Sequence, residues 1–85
     1  MDLDELAEMM NPMLRGWIRY YGRFRPSELV SVFRGINLSL RQWVMRKFKR
    51  FTGHKIRASR FLQRLAAARP DLFVHWQLGM RGVFN

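Results

Sequence analysis

Asn11–Phe24 reads NPMLRGWIRYYGRF, and the fold turns on how this stretch is read. Asn11 is a good N-cap, because its side-chain oxygen can take a free amide of a first turn. Pro12 then falls at the first helical position, where its missing N–H costs nothing. The pattern predicts a helix over 12–24. Leu14, Trp17, Ile18 and Tyr21 recur at i, i+3, i+4 and i+7, one apolar face at the helical period. Arg15, Arg19 and Arg23 recur at i, i+4 and i+8 on another face. Aromatic and arginine side chains interleave here as they do where a helix meets phosphate and base. A core helix with a solvated basic side accounts for this stretch equally well.

Upstream, Asp2 and Glu5 fit a capping box, and Leu3, Leu6, Ala7 and Met10 make a thin apolar face. Residues 1–10 are therefore expected to form a separate short acidic helix. Its acids suit a helix N-terminus and can also fold back on the domain's own arginines. Downstream, Pro26 breaks the chain and Ser27 can cap a long helix running to about Phe51. Leu29, Val32, Phe33, Ile36, Leu40, Trp43, Val44 and Phe51 line one side of it, with Leu38 and Met45 on the other. Gly35 makes a kink near 35–37 plausible. Trp17 and Trp43 lie in their apolar stripes and are expected in the core.

The end of that helix carries Arg46, Lys47, Lys49 and Arg50 around Phe48. Cations there suit the negative pole of the helix dipole, and they also suit a phosphate clamp. Thr52-Gly53-His54 reads as a turn, with Gly53 as helix stop. His54 is a turn residue or a phosphate or base contact. The next helix covers 55–68, with Ala58, Phe61, Leu62 and Leu65 as its core stripe. Arg57, Arg60 and Arg64 share another face, and with Lys49, Arg50 and Lys55 they can form one positive groove. After Pro70-Asp71, Phe73 and Trp76 close the bundle end, and His75 is expected to be buried and hydrogen-bonded. Gly79 and Gly82 suggest a loose tail over 80–85. The fold expected is all-α: one domain over 1–85, a small three-helix bundle (about 12–24, 27–51, 55–68) with a short N-terminal helix and a short C-terminal turn.

Two blocks carry a family resemblance. The first is Asn11-Pro12, Arg15-Gly16-Trp17 and Tyr20-Tyr21. The second is Gly53-His54-Lys55, Arg57-Ala58, Leu62, and Pro70-x-Leu72-Phe73-x-His75-Trp76. In this order and spacing the chain resembles the maturase-specific domain of group II intron reverse transcriptases, over roughly residues 11–79. The resemblance implies a helical thumb, or X domain, that grips intron RNA during splicing and the template–primer during reverse transcription. It implies a packing-and-contact role for Arg15–Tyr21 and a backbone-gripping role for Gly53–Arg64. The polymerase Tyr-Ala-Asp-Asp motif is absent. A free-standing domain, a subunit of a split enzyme, an excised piece and a remnant of a decayed element all fit.

Charge points the same way. Sixteen Lys and Arg face six Asp and Glu, and residues 9–85 hold all sixteen cations against only Glu28 and Asp71. Thirteen of the sixteen are Arg, which binds phosphate as a fork and stacks on bases. Such a field calls for a polyanion. Magnesium chemistry needs clustered carboxylates, which the chain past Glu8 does not offer. With no Cys and only His54 and His75, a zinc site is not expected either. The reading is a cofactor-free RNA-binding module, not an enzyme by itself. Its expected partners are intron RNA or a template–primer duplex. A second reading is a thumb that docks on a separately encoded reverse transcriptase through Leu38 and Met45. A membrane binder is a third, which distinct capped helices argue against. The acidic start and the lack of any run near ~18 apolar residues make a cytoplasmic location the default.

Overall fold

Helix α1 (Leu3–Phe24) begins where the sequence places its cap. In the computed structural model, which describes residues 2–80, Asp2 Oδ1 accepts from the Glu5 amide at 2.8 Å and Glu5 Oε1 accepts from the Asp2 amide at 3.3 Å. This reciprocal pair satisfies two donors that a helix start leaves free. The helix then continues through Asn11 and Pro12 without a break. The two expected helices, 2–10 and 12–24, are one. The reason lies in the Asn11 side chain. Its Oδ1 accepts from the Val74 amide at 3.0 Å, and its Nδ2 donates to the Leu72 carbonyl at 3.1 Å. Asn11 does serve a helix start, but that of α4 (Val74–Gln77), far along the chain. Pro12 cannot donate to the Glu8 carbonyl, and both residues are exposed, so water can serve that oxygen.

Beyond α1, Pro26–Glu28 forms a single 3₁₀ turn, and α2 spans Leu29–Lys47. Ser27 lies inside the turn, and no side chain caps α2. Helix α2 passes through Gly35 without interruption. It stops four residues short of the expected Phe51, because Phe48 adopts an extended backbone and Lys49–Phe51 closes a second 3₁₀ turn. That break lets Phe48, Phe51 and Phe61 meet as a trio, with ring centroids 5.3–6.2 Å apart. Gly53, at φ +76°, turns the chain into α3 (Lys55–Ala68), whose bounds match the expectation. A residue with a Cβ is strained in that left-handed conformation.

The core lies where α2 meets α3 on one side and α1 meets α4 on the other. Leu14, Phe33, Leu40, Val44, Ala58, Leu62, Ala66, Phe73 and Trp76 are all but sealed from solvent. Trp17 and Trp43 were expected here, but both are only half-buried at the margin of the core. Trp76 takes the central place, since the α4 segment plugs the bundle. Two asparagines hold that plug. Asn11 grips its entry, as above. Asn37, fully buried on α2, grips its far end: Nδ2 donates to the Met80 carbonyl at 3.0 Å. Met80, assigned to a loose tail from sequence, is therefore tied down, and the rest of that tail (81–85) lies outside the described residues. The expected burial and hydrogen bonding of His75 are borne out, with Nε2 2.7 Å from Asn37 Oδ1.

Candidate nucleic-acid interface

Helix α1 presents its arginines on one side. Arg15, Arg19 and Arg23 are all exposed, along about 12 Å of axis. Helix α3 presents Arg57, Arg60 and Arg64, also exposed, on the side away from buried Ala58, Leu62 and Ala66. Between these rows in sequence come Arg46, Lys47, Lys49, Arg50 and Lys55, again exposed. On α1 and α3 the arginine row emerges opposite the apolar stripe that the helix must bury, so the packing stripe dictates the charged face.

The acids do little to neutralise them. Asp4 accepts from Arg69 at 2.7 Å, joining the start of α1 to the end of α3. The Arg69 guanidinium holds the Asp4 carboxyl below its ordinary value. Arg25 pairs with Glu28 at 3.0 Å. None of the eleven cations in the two rows and the segment between them makes an ion pair with a described residue.

The second block forms a cavity of about 680 Å³. Met45 and Ile56 give it apolar walls, and Gly53, His54, Lys55, Arg57 and Arg60 complete its lining. Four of the site residues expected from sequence thus gather at one opening, with Arg64 a turn further along α3. Arg15, Arg19 and Arg23 take no part in that lining. Apolar walls beneath a cationic rim match the two halves of a nucleotide, a flat base and a charged phosphate.

Arg50 is held in a different way. Its guanidinium carbon lies 4.7 Å from the Phe51 ring centroid, 5.6 Å from Phe48 and 5.8 Å from Phe61. The aromatic trio made by the α2 break therefore seats this one cation. Arg23 lies 5.5 Å from the Phe24 ring in the same manner.

Sequence reasoning missed three features. Ile56 is 67% exposed and lines the cavity, and its place just after the Gly53-His54 turn was the available signal. Asn37 was passed over as part of a possible kink. Its signal is position: it lies four residues after Phe33 and three before Leu40, inside an apolar stripe. Met9, Met13, Tyr20 and Phe24 are exposed together on α1, and reading 2–10 and 12–24 as separate helices hid that alignment.

No helix among the described residues is long and apolar enough to cross a membrane. No curated protein and no solved structure matches the chain. A family model described as the group II intron, maturase-specific domain matches residues 1–62. The match takes in α1, α2, the aromatic trio and the cavity lining, and this chain belongs to the group II intron maturase-specific domain family.

Proposed function

We propose that the domain binds RNA through its two arginine rows and the cationic segment between them. It grips intron RNA for splicing or the template–primer duplex for reverse transcription. One observation carries the reading: eleven exposed cations lack a carboxylate among the described residues, and four site residues ring an apolar-walled cavity. Its own part is binding, not chemistry. Past Glu8 it holds only Glu28, engaged by Arg25, and Asp71. Docking on a separate polymerase through Leu38 and Met45 has less support, because both are half-buried and Met45 packs on the core.

The test is RNA affinity as a function of salt. Engagement of about five phosphates gives a slope of log K against log salt of about −3 to −4 for single-stranded contacts. A slope near zero, or no binding to structured RNA at low salt, removes the reading.

A further inference from the structure

We propose that α1 is a self-association face through which the domain pairs antiparallel with a second copy of this chain, about Gly16. Met9, Met13, Tyr20 and Phe24 are 60, 43, 53 and 63% exposed. At the helical repeat they fall with Gly16 in one stripe about 80° wide and about 22 Å long. The stripe runs between the packed face of α1 and its arginine face, so Arg19 and Arg23 of the row assigned to RNA above border it.

Three observations select a second copy as occupant. First, the stripe is self-complementary. Gly16 lies at its midpoint, with two methionines on the N-terminal side and two aromatics on the C-terminal side. Antiparallel pairing sets Met9 against Phe24 of the partner subunit and Met13 against Tyr20 of the partner subunit, and thioethers pack well on aromatic rings. Second, the charges on its flank change sign along α1. Glu5 and Glu8 begin the flank, and Arg15, Arg19 and Arg23 follow them. Antiparallel pairing sets this flank against the same flank of the second copy and brings Glu8 towards Arg23 of the partner subunit, whereas parallel pairing keeps the two charged flanks apart. Third, Gly16 has no reason within its own fold to be glycine. A Cβ there meets no atom within 4 Å, as at the helical Gly22 and Gly35, and glycine inside a helix is less favourable than alanine; of the three, Gly16 is the one at the centre of the exposed stripe. At the crossing point of two helices its missing side chain lets the backbones approach. The stripes bury on the order of 1,000 Å² in total, near the floor for a specific interface, so the dimer is weak and reversible.

Sedimentation equilibrium of the full chain, up to about 10⁻⁴ M at about 0.15 M salt, reads the mass directly. It is expected to rise with concentration from 10.3 kDa towards twice that value. Gly16→Arg is expected to raise the dimer dissociation constant about tenfold or more without lowering the melting temperature. Glu8→Arg weakens the dimer, and adding Arg23→Glu to it restores pairing. The chain has no cysteine, so cross-linking resolves direction. Mixed Met9→Cys and Phe24→Cys chains are expected to form a disulfide-linked pair that neither forms alone. A mass that stays at 10.3 kDa overturns the proposal, as does self-linking of Met9→Cys. So does a Gly16→Arg variant that loses RNA affinity with no change in mass, which gives the stripe to RNA instead.

Discussion

Asn37 Oδ1 and His75 Nε2 lie 2.7 Å apart, both residues wholly buried, and the contact fixes which ring nitrogen carries the proton. Trp76 Nε1 is 3.0 Å from the same oxygen and can only donate. That atom of Asn37 is therefore the acceptor, and His75 must be the Nε2–H tautomer. Its Nδ1 is left buried with no hydrogen-bond partner among the described residues.

Protonation of His75 at Nδ1 is thus opposed, and burial lowers its pKa from 6.5 to about 4. The folded state binds this proton less well than the unfolded state does. The stability that follows is fully present above pH 6.5 and is lost as pH falls towards about 4. The loss is about 3 kcal/mol for the whole shift. Urea denaturation at intervals from pH 7.5 to 4 checks this, and His75→Phe is expected to flatten the profile. Asp4 does not confuse the window, since its carboxyl titrates below 3.8.

Asn37→Ala is expected to leave two buried donors, His75 Nε2–H and Trp76 Nε1–H, without their acceptor. At about 1–3 kcal/mol for each unmet group, this is a large part of a small domain's stability. A thermal melt reads it directly. A loss below about 1 kcal/mol would mean that the plug re-forms around the alanine.

Pro12→Ala is expected to stabilise the domain by about 1–2 kcal/mol. It returns a donor to the middle of α1, less the unfolded-chain entropy that proline had removed. Had Pro12 stood at a first helical position, the same change would be neutral or harmful. Asn11→Ala is expected to cost about 1–2 kcal/mol by freeing the Val74 amide and Leu72 carbonyl. Hydrogen exchange should then quicken at α4 before it does at α3.

Trp76→Ala is expected to cost about 3–5 kcal/mol, and Trp17→Ala clearly less, since only Trp76 is sealed in the core. Equal shifts in melting temperature would contradict this ranking.

The combined substitution Arg57→Ala, Arg60→Ala, Arg64→Ala is expected to weaken RNA binding and to make the salt slope shallower by a little under one unit per lost phosphate. All three side chains are exposed and none is ion-paired with a described residue, so the melting temperature should hold or rise slightly. Filter binding and a melt on the same variant separate this from a row that merely solvates the surface.

Local signals and long-range ones were unequally legible in the sequence. The capping box at Asp2 and Glu5, the turn at Gly53 and the bounds of α3 each depend on residues a few positions apart, and each stands in the structure. Asn11-Pro12 carried an equally good local signal that a partner 63 residues away overrode. The α2 break was hidden for the same reason, since Phe48 leaves the helix to reach Phe61. Exposure of the cations followed from the apolar stripes opposite them. The cavity did not, because Met45 and Ile56 meet only once the turn is folded.

The dependence of the core on Trp76 and Phe73 has a consequence for how the chain is made. Both lie past residue 62, where the family match ends. Until they emerge, Asn37 has neither His75 nor Trp76 to hold, and Phe33, Leu40 and Leu62 have no lid. Nascent α1, α2 and α3 can form as helices, but they cannot close as a bundle. Closure of this bundle therefore waits for residues 73–76, and a chain stopped in the sixties would be a sticky, cationic intermediate for quality control to remove.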